Sequence, residues 1–224
     1  MYRYSSVYVR VLEDIFNIGS GVNMGALDVK DTGLNNFVQT EGVKLAGNNI
    51  VEMSGQNNRL IIAPGVALKE VVIKISANNS TVILEGGVRF SGHILVKHGF
   101  ENSVSIGADT TVGGARIICS EGSSVAIGKD CMLSNHIEIR STDSHPILNL
   151  IGERINPAAN VVIGDHVWLA AHVSILKGAR IGSNSIVGTR SVVSSSFQQG
   201  NEAIAGNPAR IVRSGVTWDR EHLG

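Results

Sequence analysis

The residues best placed to do chemistry lie in the segment Ser141-Thr-Asp-Ser-His-Pro146. His145 is the central candidate, because imidazole, with an ordinary pKa of about 6.5, can accept and return a proton near neutral pH. Taking a proton from a hydroxyl is work such a group could do, and a solvated loop histidine is the competing reading. Asp143 stands two positions earlier. Trp168 is a large ring at a position expected to face outwards, where it needs either a ligand or a packing partner. Asn135 and His136 precede the segment on an outer face, as acceptor contacts or as ordinary surface residues. His166 and His172 are six apart, but no third histidine at matching depth completes a metal site. Cys119 and Cys131 form neither a disulfide framework nor a zinc pattern.

The element that must position these residues is a repeat. Ile163, Leu169, Ile175, Ile181, Val187 and Val193 recur at strict six-residue intervals. Four residues beyond the first five stand Val167, Val173, Ala179, Ser185 and Ser191, all small or β-branched. A period of six suits a short strand followed by a turn, with alternate side chains facing in and out. A helix does not fit, because its period of 3.6 would rotate the anchors around its axis. The pattern recurs upstream in Arg59–Val66, Thr81–Val88, Ser103–Thr110 and Ser124–Cys131, whose anchors Ile62, Leu84, Ile106 and Ile127 are 22, 22 and 21 residues apart. From Ile163 to Ile181 the interval is three hexads. The reading is a coil of three strands and three turns, with a few residues added at one corner of the early coils. Asn57, Asn58, Asn78, Asn79 and Asn102 recur before the anchors, and asparagine tolerates the left-handed backbone of sharp corners. Cys131 falls at a small inward position and reads as core filler.

Composition agrees. The chain has 224 residues, 26 glycines, 4 prolines and 4% aromatics, which suits a narrow interior of aliphatic and small side chains. Formal net charge is zero, without the clustered positive charge of a nucleic-acid binder. No window is apolar enough for a membrane span, and Met1–Asp14 lacks the apolar stretch of a secretory signal. The expectation is a cytoplasmic, all-β protein. Its divisions are a cap with irregular coils (1–49), a β-helix (50–200) carrying an active-site loop (141–160), and a C-terminal extension (201–224). The repeat is expected to stop after Val193. Between Arg140 and Val161 the hexads vanish for about twenty residues, and an excursion that long from a compact scaffold usually serves function.

Ser144-His-Pro146, Val162-Ile-Gly-Asp-His-Val-Trp-Leu-Ala171, Gly178-Ala-Arg-Ile-Gly182, Ile186–Val193 and Ala205-Gly-Asn-Pro-Ala-Arg-Ile-Val-Arg213 together resemble the hexapeptide-repeat acyltransferases. The resemblance is nearest to the maltose and galactoside O-acetyltransferases and those of capsule and O-antigen polysaccharides. It covers about residues 124–213, and the hexad pattern extends it back to about 57. What it implies is a left-handed parallel β-helix, a homotrimer with sites between subunits, acetyl-coenzyme A as donor and no metal.

The family's catalytic histidine maps onto His145, as general base in a direct attack by a sugar hydroxyl on the thioester. Trp168 maps to a position bordering both substrates, and polysialic acid O-acetyltransferases pair such a tryptophan with the catalytic histidine. Asn135 and Asp143 join it as candidate acceptor contacts. The coenzyme A groove maps onto Ala171, Thr189, Ser194, Ser195, Arg210 and Arg213. Arginine suits phosphate because guanidinium makes forked, charge-assisted bonds. Relatives often carry Thr-Lys where Ser194-Ser195 stands, and this departure puts one phosphate contact implied by the resemblance in question. An N-acetyltransferase of amino sugars and a γ-carbonic-anhydrase-like metal protein are the alternatives on the same fold.

Overall fold

The computed structural model describes residues 9–11 and 26–221. The chain winds as a left-handed parallel β-helix, a three-sided prism of stacked coils. Its first face is a nine-stranded parallel sheet running from Val9–Val11 through Phe37–Thr40, Arg59–Ile62, Thr81–Leu84, Ser103–Ile106, Ser124–Ile127, Val161–Ile163 and Arg180–Ile181 to Ser196–Phe197. The second and third faces belong to one sheet, because the long strands Ala67–Asn78, Arg89–Phe100 and Thr111–Cys119 bend around the corner between them. Later coils break at that corner. There the second face is Met132–Leu133, Trp168–Leu169 and Ile186–Val187, and the third is Ile137–Arg140, Ser174–Ile175 and Val192–Val193.

The hexads do what their spacing requires. Each anchor from Ile163 to Val193 is buried, and so is each partner four residues on, from Val167 to Ser191. Cys131 is buried in the same inward row, and burial pushes its thiol up to about 11. Glycine follows the first-face anchors Ile106, Ile127, Ile163 and Ile181, because successive coils nearly touch there. A Cβ on Gly128 would lie 2.6 Å from the backbone of Gly164, and one on Gly164 would lie 2.7 Å from the Ser183 nitrogen.

The added residues of the early coils sit at one corner, between the third face and the next first face. Asn57 and Asn79 take positive φ there (56° and 51°), as corner asparagines should. Asn58 and Asn102 do something else. They are buried, and their amides tie neighbouring coils together: Asn58 Nδ2 donates to the Ala77 carbonyl at 2.7 Å, and its Oδ1 accepts from Ser80 N at 3.0 Å.

The coil also runs further than the hexad spacing indicates. Ser196–Phe197 pairs with Arg180–Ile181, and Glu202–Gly206 pairs with Ile186–Val187. The expectation that the repeat ends at Val193 is corrected: residues drop out of the last coil, so strict sixes fail while pairing persists. The Glu202–Gly206 strand then makes an antiparallel hairpin with Ala209–Ser214. Within the region expected as a cap, Ala26–Asp31 and Phe37–Thr40 already pair in register with the following coil. Among the described residues, no helix is long and apolar enough to cross a membrane.

Gly164→Ala should cost about 1–3 kcal/mol, the usual range for forcing extra volume into a packed interior. Denaturant unfolding of the purified variant checks this, and an unchanged midpoint would disprove the close-contact account.

Candidate active site

The excursion loop leaves from the corner that is already widened in every earlier coil. Its root is fixed by polar contacts. Ser141 is buried, with its hydroxyl 2.6 Å from that of Ser123, and its carbonyl accepts from Ala159 N at 2.9 Å, joining the two ends of the loop. Ser144 adopts φ 68°, and its N–H donates to Thr142 Oγ1 at 3.0 Å. That turn projects His145 from the corner.

Asn156 latches the two arms. It is buried, and its Nδ2 donates to the His145 carbonyl at 2.9 Å and to Asp143 Oδ2 at 2.8 Å. Its Oδ1 accepts from Ile147 N at 2.6 Å. Lys177, one coil on, pairs with Asp143 at 2.7 Å and donates to the Pro157 carbonyl at 3.0 Å. Arg154 pairs with Glu121 at 2.6 Å, and the Thr142 hydroxyl donates to the other oxygen of that carboxylate. Hydrogen bonds from Arg154 and Thr142 hold the Glu121 carboxyl below the usual carboxylate range, and Lys177 and then Asn156 do the same for Asp143. Asp143, expected to meet an acceptor, is thus also part of the loop's anchorage.

His145 is exposed and lines a cleft of about 460 Å³ with Lys97, Ser120, Glu121, Thr142 and Arg154. Trp168 is not among the cleft residues. It stands on the second face, and the second face of a triangular prism lies opposite the corner that carries His145. Asn135 shares a corner with Ala171 and Thr189, between the second and third faces, where His172 N donates to the Asn135 carbonyl and Arg190 N to that of Ala171. Asn135 therefore keeps company with the expected donor residues, away from His145. Ser194 and Ser195 are exposed two coils beyond the loop root, on the same corner as His145. Arg210 and Arg213 are exposed on the terminal hairpin strand, paired with Ala205 and Ala203.

His166 and His172 part company. His172 stacks on His136, with centroids 4.6 Å apart. His166 stacks on Trp218 at 4.3 Å, and its Nδ1 meets Asp130 at 2.7 Å. Trp218 Nε1 donates to the His166 carbonyl at 2.8 Å, and Arg220 beyond it binds Asp130, Thr111 and the Cys131 carbonyl. The C-terminal strap is thus clamped across several coils, with its indole 6.1 Å from that of Trp168.

Sequence reasoning missed Glu121, Arg154, Asn156, Lys177 and Trp218. Arg154 and Asn156 lie on the returning arm of the loop, Glu121 and Lys177 on the coils before and after it, and the four carry no common spacing. Trp218 offered one signal, being the second of only two tryptophans.

Comparison with known proteins decides the family. Residues 160–195 match the family described as bacterial transferase hexapeptide (six repeats). The chain is 38% identical over 199 residues to the polysialic acid O-acetyltransferase of Neisseria meningitidis, covering 88% of this chain and 92% of that one. The chain belongs to the hexapeptide-repeat acyltransferases. It is an O-acetyltransferase. Two crystal structures of polysialic-acid acetyltransferases share most of the fold. NeuO superposes with a TM-score of 0.79 at 28% identity, covering 88% of this chain and 91% of that one. OatWY does so with a TM-score of 0.73 at 35% identity, covering 88% and 93%.

Asn156→Ala should leave the enzyme's coil folded while loosening the loop. Misplacement of a reacting group can cost on the order of 100-fold, so acetyl transfer should fall by about that factor and protease should cut within 141–160. Intact kinetics would show that Asn156 is not the latch. The carboxylates predict a pH response. Because their native pKa values are depressed, their contribution is complete above the unfolded carboxylate values and is lost as pH falls through the native ones. Loop protection from an acid-tolerant protease should therefore decline only in acid, and Asp143→Asn should weaken the protection present near neutral pH.

Proposed function

We propose that the enzyme transfers an acetyl group from acetyl-coenzyme A to a hydroxyl of a surface polysaccharide or its precursor, with His145 as general base. The observation that carries this reading is His145 itself: an exposed imidazole at the lip of a cleft, on a loop root held by Asn156, Arg154 and Lys177. Acyl transfer needs a base that is held in place and open to the reacting hydroxyl, and an exposed imidazole on an anchored loop root suits that role. Relatives named as polysialic acid O-acetyltransferases support a carbohydrate acceptor.

In this reading neutral His145 takes the proton of the acceptor hydroxyl while its oxygen attacks the acetyl carbonyl. The resulting oxyanion is met by backbone N–H donors. The carbon–sulfur bond then breaks, coenzyme A leaves as thiolate, and the imidazolium returns its proton to that sulfur. No acyl-enzyme forms. The donor would lie against the C-terminal coils, with Ala171 and Thr189 on one border of the third face and Ser194 and Ser195 on the other. Arg210 and Arg213, exposed on the hairpin, suit its phosphates.

Trp168 completes the acceptor site from a second copy of the chain, with Asn135 and Asp143 as further contacts. What supports a homotrimer with sites between subunits is the opposition of His145 and Trp168 on one prism, which prevents a single chain from bringing them together. Two buried, free cysteines suit the reducing cytoplasm.

His145→Ala should lower turnover roughly 10²–10⁴-fold, the usual worth of a positioned acid–base group, with coenzyme A binding retained in calorimetry. Near-normal turnover would remove the base. Co-assembling His145→Ala protomers with Trp168→Ala protomers should restore activity that neither variant has alone, since some interfaces then hold both native residues. No restoration would argue against a shared site.

A further inference from the structure

The corner that carries His145 also carries a row of side chains, one per coil. Parallel register sets Thr32 beside Ser54, Ser54 beside Ser76, Ser76 beside Lys97, Lys97 beside Ser120 and Ser120 beside Thr142. The first three line a cleft of about 300 Å³, together with Lys30, Glu52 and Lys74. The last three line the cleft that holds His145. The two clefts are adjacent, with Ser76 of one and Lys97 of the other direct register partners. A trough thus crosses six coils, and five inter-coil steps of about 4.8 Å make it roughly 24 Å long. It ends at the imidazole.

Its chemistry is that of a carbohydrate track. Hydroxyls from Thr32, Ser54 and Ser76 can exchange hydrogen bonds with sugar hydroxyls. Cations outnumber anions, with Lys30, Lys74, Lys97 and Arg154 set against Glu52 and Glu121. Among the described residues Lys97 makes no ion pair, and the Lys74–Glu52 and Lys30–Asp28 pairs are half exposed. Exposed pairs of that kind are held weakly and can yield to another anion. A single sugar would fill only the cleft at His145. A trough this long suits a polymer.

We infer that this trough seats an extended acidic glycan, holding several sugar units on the N-terminal side of the one presented to His145. The inference rests on the acceptor class proposed above and adds where the rest of the chain lies. Donor and acceptor then approach His145 from opposite ends of the coil, the donor along the C-terminal coils and the glycan along the N-terminal ones.

The test compares long and short acidic oligosaccharides of one repeating unit as acceptors for the wild-type enzyme, a Lys30→Ala/Lys74→Ala double variant and Ser76→Trp, which blocks the trough. Wild type should favour the long acceptor, and added salt should erode that preference. In both variants the ratio of kcat/KM for long over short acceptor should fall about tenfold, with the change in KM. An unchanged ratio would overturn the track and leave His145 chemistry standing. Variants that alter the oligomeric state in ultracentrifugation while keeping the ratio would assign this face to a second copy, which also overturns it. Acetyl transfer to no glycan of any length by the wild type would instead sink the proposed function beneath it.

Discussion

Parallel register between successive coils is the constraint on which everything else in this molecule depends. Each coil satisfies its backbone by pairing with the one above and the one below, so a side chain's place along the prism is set by counting residues. Columns follow: aliphatic anchors inward, small residues where coils nearly touch, asparagines at the widened corner. The same arithmetic that stacks Ile106 on Ile127 stacks Ser120 on Thr142 and so builds the wall of the cleft. Function here is a matter of which column a residue falls in.

The widened corner shows how a regular scaffold makes room for chemistry. Early coils already carry extra residues there, tied by the buried amides of Asn58 and Asn102. The excursion loop enlarges that corner without interrupting a face, since Ser124–Ile127 and Val161–Ile163 pair directly across it. Strands above and below stay in register, and the excursion is held by its own polar contacts through Asn156, Lys177 and Arg154. His145 therefore has a rigid floor and a separately anchored loop. The C-terminal strap does a comparable service on the second face, where Trp218 packs between His166 and Trp168.

The opposition of His145 and Trp168 follows from topology alone. Twenty-three residues separate them in sequence, yet a corner and the face opposite it cannot meet within one triangular coil. Proximity in the chain is a poor guide in a solenoid, where neighbours in space are one coil apart. Asn135 illustrates the same point. It precedes the loop by only a few residues but belongs to the column of Ala171 and Thr189.

The all-β coil, its three-strand repeat and the inward positions were legible in the spacing of Ile163 to Val193, because burial of every sixth residue is a local signal that one strand and turn repeat. The excursion that carries His145 was legible because it interrupts that signal. The continuation past Val193 was not, since pairing survives the loss of a few residues while strict spacing does not. Nor were Glu121 and Lys177, which converge from different coils on the loop that carries Arg154 and Asn156, or the Trp218 clamp, which joins residues 52 apart. Contacts between coils depend on where each corner's extra residues are taken up, and only the folded stack decides that.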